Sequence, residues 1–268
     1  MKKYLVIGNP IKHSLSPNLH NYWIKKNNIE ANYEKKLIVE NDLKKIISEV
    51  RKDKINGLNV TVPFKKSILP LVDQLTSKAI LTQSVNVVFK EGDAIIGDNT
   101  DITGFELSLK NINYDIKNKN ILILGAGGVT ASIIISLHEA EKIFLANRTK
   151  EKADNLSKMN LHKNIEVIDW EAKNRNISKF DMIINTTSLG LGNNDIIDLD
   201  YEKIGANKLF YDVIYNPSKT DFLLKAEKYG NKIENGKMMF IHQAQLSFQL
   251  WHNILPEIDK ETIKLINQ

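Results

Sequence analysis

Short apolar runs alternate with amphipathic stretches in the first part of the chain. Spacing of the apolar residues predicts strands at 4–7, 33–38 and 58–62, and helices at 17–27 and 41–51. A hairpin is predicted next, with strands 84–90 and 94–96 joined by Glu91-Gly92-Asp93, and a helix at 102–111 follows it. The order β-α-β-α-β is typical of a mostly parallel sheet covered by helices.

A second alternating series begins near residue 120. It predicts strands at 120–124, 142–146, 166–168, 182–185 and 209–213, with helices at 129–139, 150–159 and 219–229. Two further amphipathic helices, 238–254 and 258–266, end the chain and are expected to pack back on the first series. We therefore predict an α/β protein of two domains: residues 1–104, completed by 238–268, and residues 105–237.

Composition removes several kinds of chemistry. The 268 residues contain no cysteine, which excludes thiol nucleophiles, disulfides and thiolate-bound metals. Six histidines are scattered without the spacing of a zinc site, so no metal is expected. The net charge of +5 comes from dispersed lysines, which indicates a solvated surface and no nucleic-acid partner.

No membrane partner or exported form is expected either. The largely apolar stretch 121–137 is interrupted by glycines at 125, 127 and 128, which indicate a strand and a helix in place of a membrane span. The first residues lack the apolar core of a signal peptide, so a cytoplasmic protein is expected.

A glycine-rich turn follows the strand at 120–124. Gly125-Ala126-Gly127-Gly128-Val129 leads into a helix, and glycines at such a turn allow backbone N–H groups to approach a pyrophosphate. Thr130 occupies the position of the third glycine in the usual fingerprint, and by itself the turn has a purely structural explanation. Its place between a strand and a helix favours a dinucleotide site.

The end of the next strand indicates which dinucleotide is bound. An acidic residue about 20 positions on would hold the ribose 2′-hydroxyl of NAD, but Asn147-Arg148-Thr149 stands there instead. Arg148, with Thr149 and Lys152 nearby, suits a 2′-phosphate, which favours NADP. The alternative is that Arg148 is an ordinary surface arginine.

Polar side chains also mark the predicted first domain and the last helices. In 59–65 the polar Asn59 and Thr61 alternate with Val60, Val62 and Phe64, and Lys65 follows Pro63 at the end of the strand. Each polar candidate has an ordinary structural explanation as well. Lys65 suits a solvated surface, and Asp101 and Ser16 suit helix N-caps. Asn86 suits a local contact in a strand, and Ser14 suits one in an extended segment. Tyr215 suits a turn, and Gln243 suits the polar face of a helix.

Taken together, the identities and order of these residues resemble the shikimate dehydrogenase family along the full chain. The segments that carry the resemblance are Pro10 to Pro17, Asn59 to Lys65, Gly97 to Asp101, Gly125 to Gly128, Asn147 to Thr149, Asn185 to Gly190, Tyr211 to Pro217 and Asn235 to Met239.

The resemblance implies a two-domain fold with a Rossmann second domain, and NADPH-dependent reduction of 3-dehydroshikimate to shikimate. It also implies that Lys65 and Asp101 are the catalytic pair and that Ser14 and Ser16 bind the substrate carboxylate. Tyr215 would lie at the carboxylate end of the substrate. Thr61, Asn86, Asp101 and Gln243 would hold the ring hydroxyls. The implied NADP(H) contacts are Gly125, Ala126, Gly127, Gly128, Val129, Asn147, Arg148, Thr149, Lys152, Thr187, Ser188, Val213, Gly236 and Met238.

Four residues depart from the family pattern without removing a polar group: Val87, Ile102, Leu191 and Ala244. Three alternatives stay open: a quinate/shikimate dehydrogenase with relaxed cofactor use, a catalytically silent metabolite-binding relative, and a basic nucleic-acid-binding protein. Lys65 with Asp101 argues against the silent relative, and Arg148 argues against NAD. Monomer and homodimer are both compatible with the sequence.

Overall fold

In the computed structural model, which describes residues 1–192 and 196–267, the chain divides into two compact units. One comprises Met1–Gly104 with Ile241–Gln268, and the other comprises Phe105–Phe240. The strands are β1 (Lys2–Gly8), β2 (Ala31–Leu37), β3 (Gly57–Val60), β4 (Gln74–Leu75), β5 (Val87–Glu91), β6 (Ala94–Asp98), β7 (Asn120–Leu124), β8 (Lys142–Asn147), β9 (Ile165–Asp169), β10 (Met182–Asn185), β11 (Leu209–Asp212) and β12 (Lys232–Asn235). The helices are α1 (Ser16–Lys26), α2 (Leu43–Arg51), α3 (Ser77–Thr82), α4 (Asp101–Asn111), α5 (Thr130–Ser136), α6 (Lys150–Ser157), α7 (Tyr201–Ile204), α8 (Asp221–Lys228), α9 (Lys237–His252) and α10 (Lys260–Leu265).

The first unit contains a mixed six-stranded sheet in the order β2-β1-β3-β5-β6-β4. Strand β1 runs parallel to β2 and β3, whereas β5 runs antiparallel to both β3 and β6. The ends of β1, β3 and β6 therefore meet the start of β5 at one edge of the sheet. Loops at this edge carry most of the polar residues singled out in the sequence.

Helix α2 shows how the apolar pattern builds the core of this unit. Leu43, Ile46, Ile47 and Val50 are buried, and their spacing places them on one face of the helix. They pack with sheet residues such as Leu58 into one hydrophobic cluster. The C-terminal segment also belongs to this unit, where the Tyr22 hydroxyl donates to Asp259 at 2.6 Å.

The second unit contains six parallel strands in the order β12-β11-β10-β7-β8-β9. This is the strand order of a Rossmann sheet, and the chain reverses direction across the sheet between β7 and β10. Side chains of β7 alternate between two hydrophobic clusters: Ile121 and Ile123 belong to one, Leu122 and Leu124 to the other. Both faces of the sheet are thus covered, as parallel sheets require.

The predicted two-domain α/β fold is confirmed, and strands 120–124 and 182–185 have the predicted bounds. Other predicted elements differ in extent from those of the structure, and some observed elements were not predicted. The strand predicted to run to residue 62 ends at Val60, since a turn begins at Thr61, and Val62 is 55% exposed although the alternation had placed it inside. Helix α5 ends at Ser136, three residues early, and the prediction contained no β4, α3, α7 or β12.

Among the described helices, none combines the length and the apolar character needed to cross a bilayer.

Candidate functional site

Lys65 and Asp101 form a close ion pair in the first unit. Lys65 lies in the turn after β3, and Asp101 is the first residue of α4, just after β6. Lys65 Nζ lies 2.5 Å from Asp101 Oδ2, and the two side chains are only 13% and 7% exposed. The Asp101 carboxylate thus contacts the lysine, in contrast to the predicted alternative of a simple helix cap.

Asn86 fixes the second oxygen of that carboxylate. Its Nδ2 donates to Asp101 Oδ1 at 2.9 Å and lies 3.3 Å from Gln243 Oε1, while its Oδ1 accepts from the Thr100 backbone N–H at 2.8 Å. Gln243 comes from α9, which ends in the same unit. Four of the predicted site residues, Lys65, Asn86, Asp101 and Gln243, therefore form one hydrogen-bonded group.

The two serines lie together at the start of α1. Ser14 donates to the Ser16 hydroxyl at 3.3 Å, and Ser16 is buried. The interpretation of Ser16 as the helix N-cap was wrong, because Leu15 occupies that position and makes no side-chain cap. The helix therefore leaves the Ser16 hydroxyl available to other side chains.

Thr61 lies against the end of β1. Its backbone N–H donates to the Ile7 carbonyl at 3.0 Å. A Cβ placed on Gly8 would lie 2.5 Å from Thr61 Cγ2, so only glycine allows this close approach. Thr61 itself is half-buried at the polar edge of the sheet.

Sequence reasoning missed a buried polar group beneath these residues. The Tyr33 hydroxyl donates to Asn59 Oδ1 at 2.7 Å, and Asn59 Nδ2 donates to the Asn86 carbonyl at 3.1 Å and to Ser247 Oγ at 2.9 Å. Asn59 had a signal in the sequence, since it is a polar residue in an apolar strand. Tyr33 and Ser247 had none, because only the fold brings them to Asn59.

The glycine turn of the second unit has the shape expected for a phosphate loop. Gly125 has φ +114°, and a Cβ there would lie 2.5 Å from Thr186 Oγ1, so the turn requires glycine. A Cβ on Gly127 would meet only the Thr186 carbonyl, at 3.9 Å, which leaves its outer side open to a ligand. The Thr130 hydroxyl, at the third glycine position, accepts from the Gly127 N–H at 3.0 Å and stiffens the turn. Gly128 and Val129 complete the turn before α5.

Asn147 connects this turn to the end of β8. Its Oδ1 accepts from the Ala126 N–H at 3.1 Å, and its Nδ2 donates to the Thr149 carbonyl at 2.8 Å. Arg148 and Lys152 are exposed beside it, and Arg148 has no ion pair or side-chain hydrogen bond to any described residue. The Arg148 guanidinium beside the turn is thus available to bind a phosphate.

The ends of β10 and β11 carry further residues that the resemblance implies as NADP(H) contacts. Thr187 donates through its hydroxyl to Asn185 Oδ1 at 2.7 Å, and Ser188 follows it. Asn185 Nδ2 donates in turn to Asp212 Oδ1 at 3.0 Å. Burial raises the pKa of Asp212 to about 6, partly offset by donors that include the Thr220 hydroxyl at 2.6 Å.

Val213 is in close contact with Gly236, in the turn before α9. A Cβ on Gly236 would lie 2.1 Å from the Val213 carbonyl oxygen, so no other residue fits there without movement of the backbone. Met238 lies in the first turn of α9. The turn at Gly236 is therefore built around a close contact with the loop after β11.

Tyr215 belongs to the second unit, whereas Ser14 and Ser16 belong to the first. Its ring stacks on Phe240 with centroids 4.5 Å apart. Its contact with the substrate carboxylate stays a prediction. Within residues 1–192 and 196–267, no three metal-binding side chains are grouped to hold an ion.

The fold and these two groups of residues define a two-unit α/β protein, with a polar cluster on one sheet and a dinucleotide-type loop on the other. Two family models match it: the shikimate dehydrogenase substrate binding domain over residues 6–88, and shikimate / quinate 5-dehydrogenase over residues 106–200. A shikimate dehydrogenase (NADP(+)) of Pelagibacter ubique is 55% identical over 99% of both chains.

Solved structures agree with these matches. The shikimate dehydrogenase of Aquifex aeolicus has a TM-score of 0.91 and 36% identity, over 99% of this chain and 97% of the other. The Thermus thermophilus enzyme, in complex with NADP(H) and shikimate, has a TM-score of 0.88 and 29% identity, over 100% of this chain and 98% of the other. The chain belongs to the shikimate dehydrogenase family.

Proposed function

We propose that this protein catalyses the reversible, NADPH-dependent reduction of 3-dehydroshikimate to shikimate. The observation that carries the proposal is the 2.5 Å Lys65–Asp101 pair, held by Asn86 at the polar edge of the first sheet. Membership of the family supports the reaction, and the curated relatives at 55% and 38% identity bear the name shikimate dehydrogenase (NADP(+)). The silent-relative alternative is disfavoured because both members of the pair are present and in contact.

Lys65 is proposed to act on the carbonyl oxygen. NADPH, when bound, supplies the hydride that reaches the carbonyl carbon. Negative charge then develops on the oxygen, and the Lys65 ammonium stabilises that charge and donates the proton that completes the alcohol. Asp101, held by Asn86, orients the Lys65 ammonium and keeps it out of the solvent.

We propose that the other polar residues of the first unit hold the substrate. Ser14 and Ser16 donate to its carboxylate, and Thr61, Asn86, Asp101 and Gln243 bind its ring hydroxyls. Hydroxyl and amide groups suit these roles because they offer directed hydrogen bonds to neutral and anionic oxygens alike. Tyr215, from the second unit, is proposed to complete the carboxylate end.

NADP(H) is proposed to bind the second unit. The open side of Gly127 suits the pyrophosphate, and Arg148, with Asn147, Thr149 and Lys152, suits the 2′-phosphate. The nicotinamide is proposed to be held by residues that follow β10, β11 and β12, on the other side of β7 from β8: Thr187, Ser188, Val213, Gly236 and Met238. We further propose a cytoplasmic enzyme with small-molecule partners only, as monomer or homodimer.

The test follows absorbance of the reduced nicotinamide while protein is mixed with shikimate and NADP⁺. We expect turnover by the wild type, a loss of about 10²-fold or more in Lys65→Ala, and near wild-type rates in Lys66→Ala, since Lys66 is the exposed neighbour. Faster oxidation of quinate with NAD⁺ would contradict the proposed substrate and cofactor. Absence of turnover by folded wild type would contradict the proposed reaction.

A further inference from the structure

Asn185 and Asp212 lie side by side at the ends of β10 and β11. They are paired in the register of these parallel strands, and both are fully buried. The loops that follow them contain Thr187 and Val213, which are proposed contacts of the nicotinamide. Asn185 Nδ2 donates to Asp212 Oδ1 at 3.0 Å, so one hydrogen bond between side chains joins the starts of the two loops.

Asn185 holds the loop after β10 with both ends of its amide group. Its Oδ1 accepts from the Thr187 N–H at 3.0 Å and from the Thr187 hydroxyl at 2.7 Å. Its Nδ2 donates to the Leu189 carbonyl at 3.0 Å as well as to Asp212. A backbone N–H can only donate and a backbone carbonyl can only accept, so these contacts fix which way the amide faces. Asn185 therefore needs an acceptor at Asp212.

Asp212 holds the loop after β11 in a similar manner. Its Oδ1 accepts from the Ile214 N–H at 3.0 Å in addition to Asn185, and its Oδ2 accepts from the Thr220 hydroxyl at 2.6 Å. The Ile214 carbonyl in turn accepts from the Gly236 N–H at 3.1 Å. One buried pair of side chains is thus bonded to both loops and, through Ile214, to the turn at Gly236.

We infer that Asn185 and Asp212 are a pair of positioning residues, which set the conformation of the loops proposed to hold the nicotinamide. This inference rests on the proposed NADP(H) site. The proposed nicotinamide contacts lie in these two loops, in the turn at Gly236 and at the start of α9. The proposed phosphate contacts lie elsewhere, in the glycine turn and after β8. Loss of the pair should therefore weaken binding of the nicotinamide and leave binding of the phosphates unchanged.

The hydrogen bonds of the Asp212 carboxylate select the variants. The Asn185 amide and the Ile214 N–H can only donate to Oδ1, whereas the Thr220 hydroxyl at Oδ2 can also accept. Asp212→Asn can therefore keep a carbonyl oxygen toward both obligatory donors and turn its amide nitrogen to Thr220. Asp212→Ala removes the acceptor and leaves both donors buried without it.

The test compares Asp212→Ala with Asp212→Asn and with Thr220→Val. Thr220→Val removes a buried hydrogen bond from the same carboxylate but leaves its bonds to the two loops in place. Calorimetry measures the Kd of NADPH and of 2′-phospho-ADP-ribose, which lacks only the nicotinamide. Steady-state assays measure kcat. All measurements are made at about pH 8, where the Asp212 carboxylate is ionised, since burial raises its pKa to about 6.

In Asp212→Ala, the Kd of NADPH should rise about fivefold, while the Kd of 2′-phospho-ADP-ribose stays within about twofold of wild type. The kcat should fall about tenfold or more, because a displaced nicotinamide is poorly aligned for hydride transfer. Asp212→Asn and Thr220→Val should keep all three values within about twofold of wild type.

Asn185→Ala gives a second test from the other loop. It removes the same bond between the pair, together with the bonds to Thr187 and Leu189, and should show the same selective loss of NADPH affinity. The two Kd values of each variant are measured on one sample, so a partly unfolded variant does not distort their ratio.

Equal weakening of NADPH and 2′-phospho-ADP-ribose in Asp212→Ala and Asn185→Ala, or an unchanged Kd for NADPH, would overturn the role of the pair. So would a selective loss of NADPH affinity in Thr220→Val. If the wild type binds NADPH and oxidises shikimate with NADP⁺ while these results appear, only this inference fails. If the wild type neither binds NADPH nor oxidises shikimate, the proposed function fails with it.

Discussion

Removal of the Arg148 guanidinium should lower the preference of the protein for NADP⁺ over NAD⁺. The two cofactors differ only in the 2′-phosphate, and Arg148 is the exposed cation that follows β8. No described residue forms an ion pair with it, so Arg148→Ala breaks no internal ion pair. The substitution therefore isolates the contact with the phosphate.

The exposed position of Arg148 limits the size of the effect. A hydrogen bond to a charged group contributes about 1.5–3 kcal/mol, whereas exposed ion pairs contribute about 0.2–1 kcal/mol. A bidentate, charge-assisted hydrogen bond from the exposed Arg148 guanidinium to the 2′-phosphate should contribute an intermediate free energy of about 1–2 kcal/mol. This corresponds to a roughly 5- to 30-fold fall in kcat/KM for NADP⁺.

The assay measures kcat/KM for NADP⁺ and NAD⁺ with saturating shikimate, for wild type, Arg148→Ala and Arg175→Ala. Arg175 is another exposed arginine of the second unit and serves as the matched control for loss of a positive charge. We expect the NADP⁺ value to fall only in Arg148→Ala, with the NAD⁺ value within about twofold of wild type. An equal fall for both cofactors, or an equal effect of Arg175→Ala, would refute the assignment of Arg148 to the 2′-phosphate.

Two further predictions concern the second unit. Burial raises the pKa of Asp212 to about 6, so its contribution to stability is full below its ordinary pKa of 3.8 and is lost as the pH rises through 6. The free energy of unfolding of Asp212→Asn, relative to that of the wild type, should therefore rise by about 2 kcal/mol between pH 4 and pH 7 in urea unfolding. A constant difference across that pH range would contradict the raised pKa. Gly236→Ala would place a Cβ 2.1 Å from the Val213 carbonyl oxygen, so we expect lower Tm and weaker NADP⁺ binding by calorimetry, and unchanged values would show that the turn relaxes at little cost.

Much of the fold follows from local patterns in the sequence. The runs 120–124 and 182–185 are short, apolar and bounded by polar residues, and they form buried strands of the second sheet. The glycine turn after β7 was evident because three glycines stand between a predicted strand and a predicted helix, and Gly125 has a backbone conformation that needs glycine. Elements of this kind carry their own signal, since burial on both faces requires a continuous apolar run.

The missed elements lacked such a signal. Helix α3 buries Ala79 and Thr82 but exposes Ile80 and Leu81, which is the reverse of what hydrophobicity indicates. Strand β12, Lys232–Asn235, lies at the edge of its sheet and is only partly buried. In both cases neighbours that are distant in sequence decide the structure.

The candidate site divides in the same way. The resemblance to shikimate dehydrogenases singled out Lys65, Asp101 and Asn86, each of which has an ordinary structural explanation by itself, and the structure groups them. Tyr33 was not found, because a tyrosine in a strand usually serves as a core residue. Its hydrogen bond to Asn59 reaches across β1, since the order of the sheet places β1 between β2 and β3.

The two proposed binding regions differ in how their polar groups are satisfied without ligand. Lys65, Asp101 and Asn86 are bonded to one another, and Ser14 is bonded to Ser16, so their orientations are fixed before a substrate arrives. Such preorganised donors need little rearrangement as charge develops, which is the condition under which electrostatic stabilisation is largest. Arg148 is instead exposed and unpaired among the described residues, as suits a group that binds a phosphate but takes no part in the chemical step. The structure thus places bonded, oriented side chains where the proposed reaction requires them and an exposed, unpaired cation where only affinity is needed.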